Sequence, residues 1–125
     1  MSEYISELIN QLRQMEDVNP DIQGLAIVSV KGLPLCSTFS EDVDNEIFSA
    51  ICATILNISK HASKELICGK VKRILIESVE GIICLQKAGE DAILCVLAKS
   101  ETSLGDIFQY LNDQPPKTKD VPYPL

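Results

Sequence analysis

The stretch 44–66 constrains the fold more than any other part of the sequence, because it predicts a long helix with an unusually wide apolar surface. At about 100° per residue, one side of this helix gathers large aliphatic residues, as a helix that lies on a sheet requires. We expect the sheet-facing stripe to consist of Ile47, Ile51, Ile55, Ile58 and Ala62, with Phe48 and Leu66 at its border.

The apolar surface continues past both borders of this stripe. One flank carries Cys52, Leu56, Ser59 and Ser63, and the other carries Ala50, Thr54 and His61. Each large aliphatic side chain moved out of water contributes roughly 1.5–3 kcal/mol, so an isolated chain would expose a costly patch. Either another segment of the chain or a second protein molecule has to cover it. Because little chain remains, we expect a second copy or another partner.

The length and the charge of the chain limit its class. A chain of 125 residues forms one core. The net charge of −7 argues against nucleic acid or an anionic membrane as the main ligand, since phosphate contacts need clustered Lys and Arg. No segment reaches the roughly 18 apolar residues of a membrane-spanning helix, and the first residues lack the order of a signal peptide. We therefore expect a cytoplasmic protein without direct membrane insertion.

The cysteines predict neither a metal site nor a redox pair. The five cysteines form no Cys-x-x-Cys motif, and only one histidine is present. Most of them lie in apolar runs, where Cys acts as a small hydrophobic residue. Cys36 and His61 are residue types that can act as a nucleophile and a base, but their spacing in the sequence does not place them together. We expect no cofactor, no metal and no catalytic residue.

The remaining segments predict a three-layer fold. Helices are expected at 2–16 and 103–112, and strands at 24–30, 33–38, 70–79, 82–87 and 92–98. The first and fifth strands have no polar face, so they belong at the centre of the sheet. The prediction is an α+β fold, an α/β/α sandwich with a five-stranded antiparallel sheet, element order α-ββ-α-βββ-α and strand order 2-1-5-4-3.

The chain divides into a domain and a tail. Residues 1–113 contain all predicted elements, whereas residues 114–125 hold four of the six prolines. Such a segment favours extended polyproline-like states. The alternatives for the tail are plain disorder, docking on the domain, or binding to another module.

Several motifs in order resemble those of the roadblock family, which is named for dynein light chains. They are the hairpin 31–35 after GLAIVSV, the long helix, the stretch 69–77, Glu80-Gly81, the approach 89–94 to the last strand, and Leu104-Gly105. The resemblance covers roughly residues 5–112.

This resemblance implies a homodimer, or a heterodimer with a related roadblock protein, in which the second helices lie side by side and the third strands join two sheets. It implies further a platform or regulator for a small Ras-like GTPase that sits on the paired helices. For the dimer interface we predict Cys52, Leu56, Ser59, Ser63, Lys72, Ile74 and Ile76, with the flank of Ala50, Thr54 and His61 as the alternative. For the partner surface we predict Glu46, Ser49, Ala53, Lys60 and Lys64.

Two functions are therefore compared. The first is a dimeric, non-enzymatic scaffold for a GTPase. The second is a trafficking or motor-complex adaptor, similar to longin or profilin-like proteins, that binds regardless of nucleotide. No arginine is an obvious finger for phosphoryl transfer, because Arg13 belongs to the first helix and Arg73 to an edge strand.

Overall fold

The part of the protein that the structure describes contains three helices and five strands, in the order predicted from the sequence. The computed structural model describes residues 2–102, 104–113 and 115–116. The elements are α1 (Ser2–Val18), β1 (Ile22–Ser29), β2 (Pro34–Ser37), α2 (Asn45–Glu65), β3 (Ile74–Ser78), β4 (Gly81–Lys87), β5 (Ala92–Ala98) and α3 (Leu104–Asp113).

The five strands form one antiparallel sheet in the order β2-β1-β5-β4-β3, which confirms the predicted topology. The two strands without a polar face, β1 and β5, pair along their length, with Ile27 opposite Leu94. Their central position follows from burial on both faces, since each side of these strands contacts a helical layer.

Alternation along the strands divides the core into two layers. Leu25 and Ile27 of β1 point to the side covered by α1 and α3, where Leu8 and Leu12 pack. The intervening β1 residues Ala26 and Val28 point to the other side, which α2 covers; there they meet Cys52 and Leu56. The predicted α/β/α sandwich is confirmed, and one helix alone covers one of its faces.

The predicted third strand was too long at its start. It begins at Ile74, so the basic residues Lys70 and Lys72 precede it. This segment carries polar side chains with no layer to cover them, and Lys72 is exposed. Of the predicted Pro-rich tail, Pro115 and Pro116 are described, and the rest of 114–125 lies outside the described residues.

The end of α2 is made without a glycine in the left-handed position that follows the helix. The left-handed position after the helix is occupied by Ile67, at φ 56°. Its N–H donates to the Lys64 carbonyl at 3.1 Å and the Cys68 N–H to the Ser63 carbonyl at 2.8 Å, the bond pattern of a Schellman cap. Gly69, at φ 85°, lies two residues farther on and turns the chain toward β3.

Candidate functional site

The candidate site is built on α2, whose start is fixed by Asp44. The Asp44 carboxylate accepts hydrogen bonds from the N–H groups of Glu46 and Ile47, both at 3.1 Å. This cap satisfies two of the donors that a helix leaves open at its start. It also holds the helix across β1 and β5 with one fixed side toward the sheet.

The side of α2 that contacts the sheet is the one with small residues, so the predicted sheet-facing stripe is wrong for its exposed members Ile47, Ile51, Ile58 and Ala62. It is right for Ile55 and for Phe48 at its border, which pack against the sheet. Ser49, Cys52 and Leu56 are the buried residues of the helix, while Ile47 and Ile58 are 59% and 61% exposed. The prediction relied on size, but small side chains let a helix approach a sheet closely. Ser49 is tolerated there because its hydroxyl donates to the Asn45 carbonyl at 2.6 Å.

The opposite side of α2 forms an uncovered apolar surface, which we call the outer face. It consists of Ile47, Ala50, Ile51, Thr54, Ile58 and Ala62, all exposed in the chain. Ile51 is 48% exposed, and Leu66, just after the helix, is 75% exposed. No element among the described residues covers this face. The sequence correctly predicted an apolar surplus on this helix, although it lies on the other side from that expected.

The corrected orientation changes the candidates for the dimer interface. Cys52 and Leu56 are 1% and 4% exposed because the chain's own sheet covers them, so neither side chain is presented to a second chain. Four other candidates come together: Ser59, Ser63, Lys72 and Ile74 line one open cleft of about 590 Å3 between α2 and the start of β3. Ile76 lies on β3 and is half-buried.

The edge of the sheet beside this cleft is open. β3 pairs only with β4 among the described strands, so its other side carries unpaired backbone groups. Leu75 on this strand is 47% exposed. The outer face, the cleft and the edge of β3 thus form a continuous region in which helix and strand surfaces both lack a partner.

The predicted partner surface is only partly available. Glu46, Lys60 and Lys64 are exposed, whereas Ala53 is half-buried and Ser49 is completely buried. Ser49 was predicted to be part of the partner surface, but its side chain faces the sheet. The three charged residues share one flank of α2, and Lys60 lies there beside Gly69, Lys70 and Lys87.

The β1–β2 hairpin supports this flank through a glycine and a serine. A Cβ on Gly32, whose φ is 93°, would lie 3.3 Å from the Ala50 Cα and 3.6 Å from the Ala53 Cβ. The buried Ser29 hydroxyl accepts from the N–H groups of Lys31 at 3.2 Å and Leu33 at 3.0 Å. Sequence reasoning missed Ser29, and its place directly before Lys31-Gly32 was the available signal.

Arg73 lines the cleft between α2 and the start of β3, and its guanidinium is held by residues of β4 and α3. Its guanidinium lies over the Phe108 ring at 4.4 Å and donates to Gln86 at 3.0 Å and to Asn112 at 2.7 Å. Three partners from β4 and α3 fix this cation against the edge of the sheet. Arg13 is exposed on α1, which packs on the same layer as α3.

The structure does not bring Cys36 and His61 together as a catalytic pair. Cys36 packs with the α1 and α3 side of the core, whereas His61 is exposed on α2. Burial raises the pKa of the Cys36 thiol to about 11, although a hydrogen bond from the Ile27 backbone acts in the opposite direction. The thiolate, which is the nucleophilic form, is therefore disfavoured near neutral pH. No group of potential metal ligands occurs among the described residues.

The sequence matches the Roadblock/LC7 domain over residues 8–98, from α1 to the end of β5. The chain belongs to the Roadblock/LC7 family. The match leaves α3 and the Pro-rich segment outside. None of the curated proteins compared with this Roadblock/LC7 chain matches it.

Solved structures share the fold at low sequence identity. Myxococcus xanthus MglB is 13% identical with a TM-score of 0.78, covering 87% of this chain and 82% of its own. A Roadblock/LC7 domain from Streptomyces avermitilis is 16% identical with a TM-score of 0.73, covering 82% and 86%. A further MglB structure, described as having a tetrameric arrangement, is 12% identical with a TM-score of 0.74, covering 86% and 82%.

These likenesses confirm the resemblance read from the hairpin and helix motifs, and they confirm the architecture. In the described part of this Roadblock/LC7 chain, no helix combines the length and apolar content needed to cross a membrane.

Proposed function

We propose that this Roadblock/LC7 protein is a dimeric, non-enzymatic scaffold of the cytoplasm that binds a small Ras-like GTPase through its paired second helices. The observation that carries the proposal is the outer face of α2. It exposes Ile47, Ile51 and Ile58 by about half or more, in a chain whose other two helices are already committed to the far side of the sheet. Exposed apolar surface of this kind marks an interaction site.

A second copy of the chain is the cover that fits best. Two outer faces can pack against each other about a twofold axis, since such an axis brings identical apolar patches together. The open edge of β3 lies beside the outer face, so the same axis can pair the two β3 strands. A related Roadblock/LC7 chain with a similar outer face would form the corresponding heterodimer.

The GTPase is expected on the charged flank that remains accessible beside the paired helices. Glu46, Lys60 and Lys64 are exposed there, and they offer both signs of charge to a partner. Ala53 and the Gly32 turn form a tight backbone contact below them, which makes this flank a stiff platform. A rigid surface loses little conformational entropy on binding.

A tethering role, without chemistry of its own, agrees with the placement of the arginines. An arginine finger has to reach the transferred phosphoryl group. Arg73 is instead held by three partners on β4 and α3. If the protein accelerates GTP hydrolysis, it does so by positioning the GTPase's own residues. Arg13→Ala and Arg73→Ala together should then leave the stimulated turnover intact, and loss of turnover with binding preserved would contradict this.

The oligomeric state is tested by light scattering at micromolar concentration. We expect a mass near twice 13.7 kDa for the natural chain, and a folded monomer for Ile51→Glu, because a charge placed on the outer face opposes pairing. Gln109→Ala, an exposed change on α3, is the matched control and should remain dimeric. A folded natural chain with the mass of a monomer would overturn the homodimer.

The partner is tested by capture of Ras-like GTPases loaded with GDP or with a GTP analogue. The proposal predicts that capture depends on the nucleotide, and that Lys60→Glu with Lys64→Glu weakens it at least tenfold without changing the dimer. Equal capture in both nucleotide states favours the alternative, an adaptor subunit of a trafficking or motor complex. No capture of any GTPase by the dimer would contradict the scaffold.

A further inference from the structure

A second groove lies on the opposite side of the sheet from α2, between the two terminal helices. This groove, of about 520 Å3, is lined by Gln11, Gln14 and Met15 of α1, by Tyr110 and Asp113 of α3, and by Pro115 and Pro116. Its floor is apolar, since Met15 is 3% exposed and Tyr110 packs against the same core. Its rim is polar, with Gln14 and Asp113 exposed.

The chain itself enters this groove after its last helix. α3 ends at Asp113, and Pro116 is nevertheless buried. A proline beyond the last helix becomes buried only when the backbone lies against the body of the protein. Residues 117–125 therefore continue from a point that already lies against α1.

The composition of 117–125 fits the chemistry of the groove. The segment reads Lys-Thr-Lys-Asp-Val-Pro-Tyr-Pro-Leu, and such a sequence favours a polyproline helix, which has no internal hydrogen bonds and exposes its carbonyls. Proteins bind these helices with aromatic rings that pack on proline and with polar donors that reach the carbonyls. Tyr110 supplies a ring, and the exposed amide of Gln14 is a donor of this kind.

Charge and reach agree with docking along α1. This helix carries Glu3, Glu7, Glu16 and Asp17 against the single cation Arg13, whereas 117–125 carries Lys117 and Lys119 against Asp120. Nine residues of polyproline helix span about 28 Å, and a helix of the length of α1 spans about 25 Å. Because the segment is tethered inside the groove, its effective concentration is on the order of millimolar.

We infer that the groove between α1 and α3 is a polyproline-binding site whose occupant is segment 117–125 of the same chain. This site is independent of the proposed GTPase platform, since the sheet separates the two.

The test compares NMR spectra of the full chain with those of a chain ended after Pro116. Removal of 117–125 should shift the Met15 methyl signal and the side-chain amide signals of Gln11 and Gln14, while Ile58 on α2 remains unchanged. A peptide of residues 117–125 added to the shortened chain should restore the original positions. The same peptide should bind the full chain at least tenfold more weakly, because the groove is occupied.

Two variants distinguish specific docking from nonspecific binding of the peptide. Tyr123→Ser in the peptide cannot disturb the fold of the shortened chain, and it should weaken binding of the peptide at least fivefold. Tyr110→Ala in the shortened chain should abolish binding, with Asp106→Asn, at an exposed position of α3 that does not line the groove, as the control that preserves it. Should Tyr110→Ala fail to fold, Gln14→Lys adds a cation at an exposed position of the rim. Because the segment carries two lysines, its binding should also weaken.

Unchanged Met15 and Gln14 signals after removal of 117–125 would overturn the inference. A mixture of labelled shortened chain and unlabelled full chain distinguishes the source of the occupant. The labelled signals should stay at the positions of the empty groove. Their return to the positions of the occupied groove would mean that the segment docks on another copy, which contradicts docking within one chain.

Discussion

Gly24 lies on β1 where the ring of Phe39 packs directly against the backbone. A Cβ at this position would lie 2.6 Å from Phe39 Cδ1, and the Phe39 ring is itself held edge-on to Phe48 of α2 at 5.4 Å. The ring cannot move without breaking this contact between the hairpin and the helix. Only glycine allows both contacts.

Gly24→Ala should therefore lower the free energy of unfolding by about 1–3 kcal/mol, the usual cost of overpacking. Urea denaturation at fixed protein concentration measures it. Gly105→Ala is the control: nothing lies within 4 Å of a Cβ there, and alanine in helix α3 should gain about 0.5–1 kcal/mol. Equal effects of the two changes would mean that Phe39 does not restrict Gly24.

Ile67 is a second residue whose backbone and side chain are both unfavourable. It is a β-branched residue at φ 56°, and its side chain is 91% exposed. A left-handed conformation costs such a residue about 1–2 kcal/mol, a cost that glycine avoids.

Ile67→Gly should raise the free energy of unfolding by about 0.5–1 kcal/mol, since part of the gain is lost to the flexibility of glycine in the unfolded chain. Urea denaturation of an Ile51→Glu background, expected to be monomeric, keeps interface effects out of the comparison. Leu66→Gly, at φ −90°, should give no gain there. Destabilisation by Ile67→Gly would show that the isoleucine side chain makes a contact within its own chain.

At the scale of elements, α2 shows how small residues decide which side of a helix meets a sheet. The layer below it contains the short side chains Ala26, Val28 and Cys95 beside the larger Leu85 and Ile93. Cys52 and Ser49 can approach such a layer closely, and Leu56 fills the remaining space. Cys52 and Cys95 are also linked by a thiol hydrogen bond, which together with burial raises the pKa of Cys95.

Glutamate on the two sides of α2 should give opposite results. Leu56→Glu should unfold the chain, because a buried carboxylate without a partner costs several kcal/mol. Ile58→Glu should remain folded, since this position is 61% exposed. Circular dichroism at 25 °C distinguishes them. A folded Leu56→Glu chain would mean that Leu56 does not face the sheet, which contradicts the orientation of α2 described above.

At the scale of the whole molecule, the three layers are unequally covered. Two helices share one face of the sheet and one helix covers the other, so the single helix has a free outer side. The edge strand β3 lies next to it. A surface with both features is best completed by a second molecule, and the stability of the protein then depends on association.

The melting temperature of the natural chain should consequently rise with protein concentration, because dimerisation stabilises the folded state by mass action. Calorimetry over a hundredfold range of concentration measures this. Ile58→Glu should melt at a lower temperature that is independent of concentration, and Gln109→Ala should behave like the natural chain. A concentration-independent melting temperature of the natural chain would contradict the proposed dimer.

The sequence by itself determined the elements, their order and the sheet topology, because these depend on periodicity, on turn residues and on the two strands without a polar face. The unbroken apolar runs of β1 and β5 fixed the centre of the sheet, and the surplus of apolar residues on 44–66 indicated an uncovered surface. Only the tertiary structure decided which side of α2 that surface occupies. A helical wheel shows which residues share one side of the helix. It does not show how much space the facing sheet leaves for each side chain. The short side chains of Ala26 and Cys95 favour Ser49 and Cys52 over Ile47 and Ile51, and this complementarity exists only once helix and sheet are packed together.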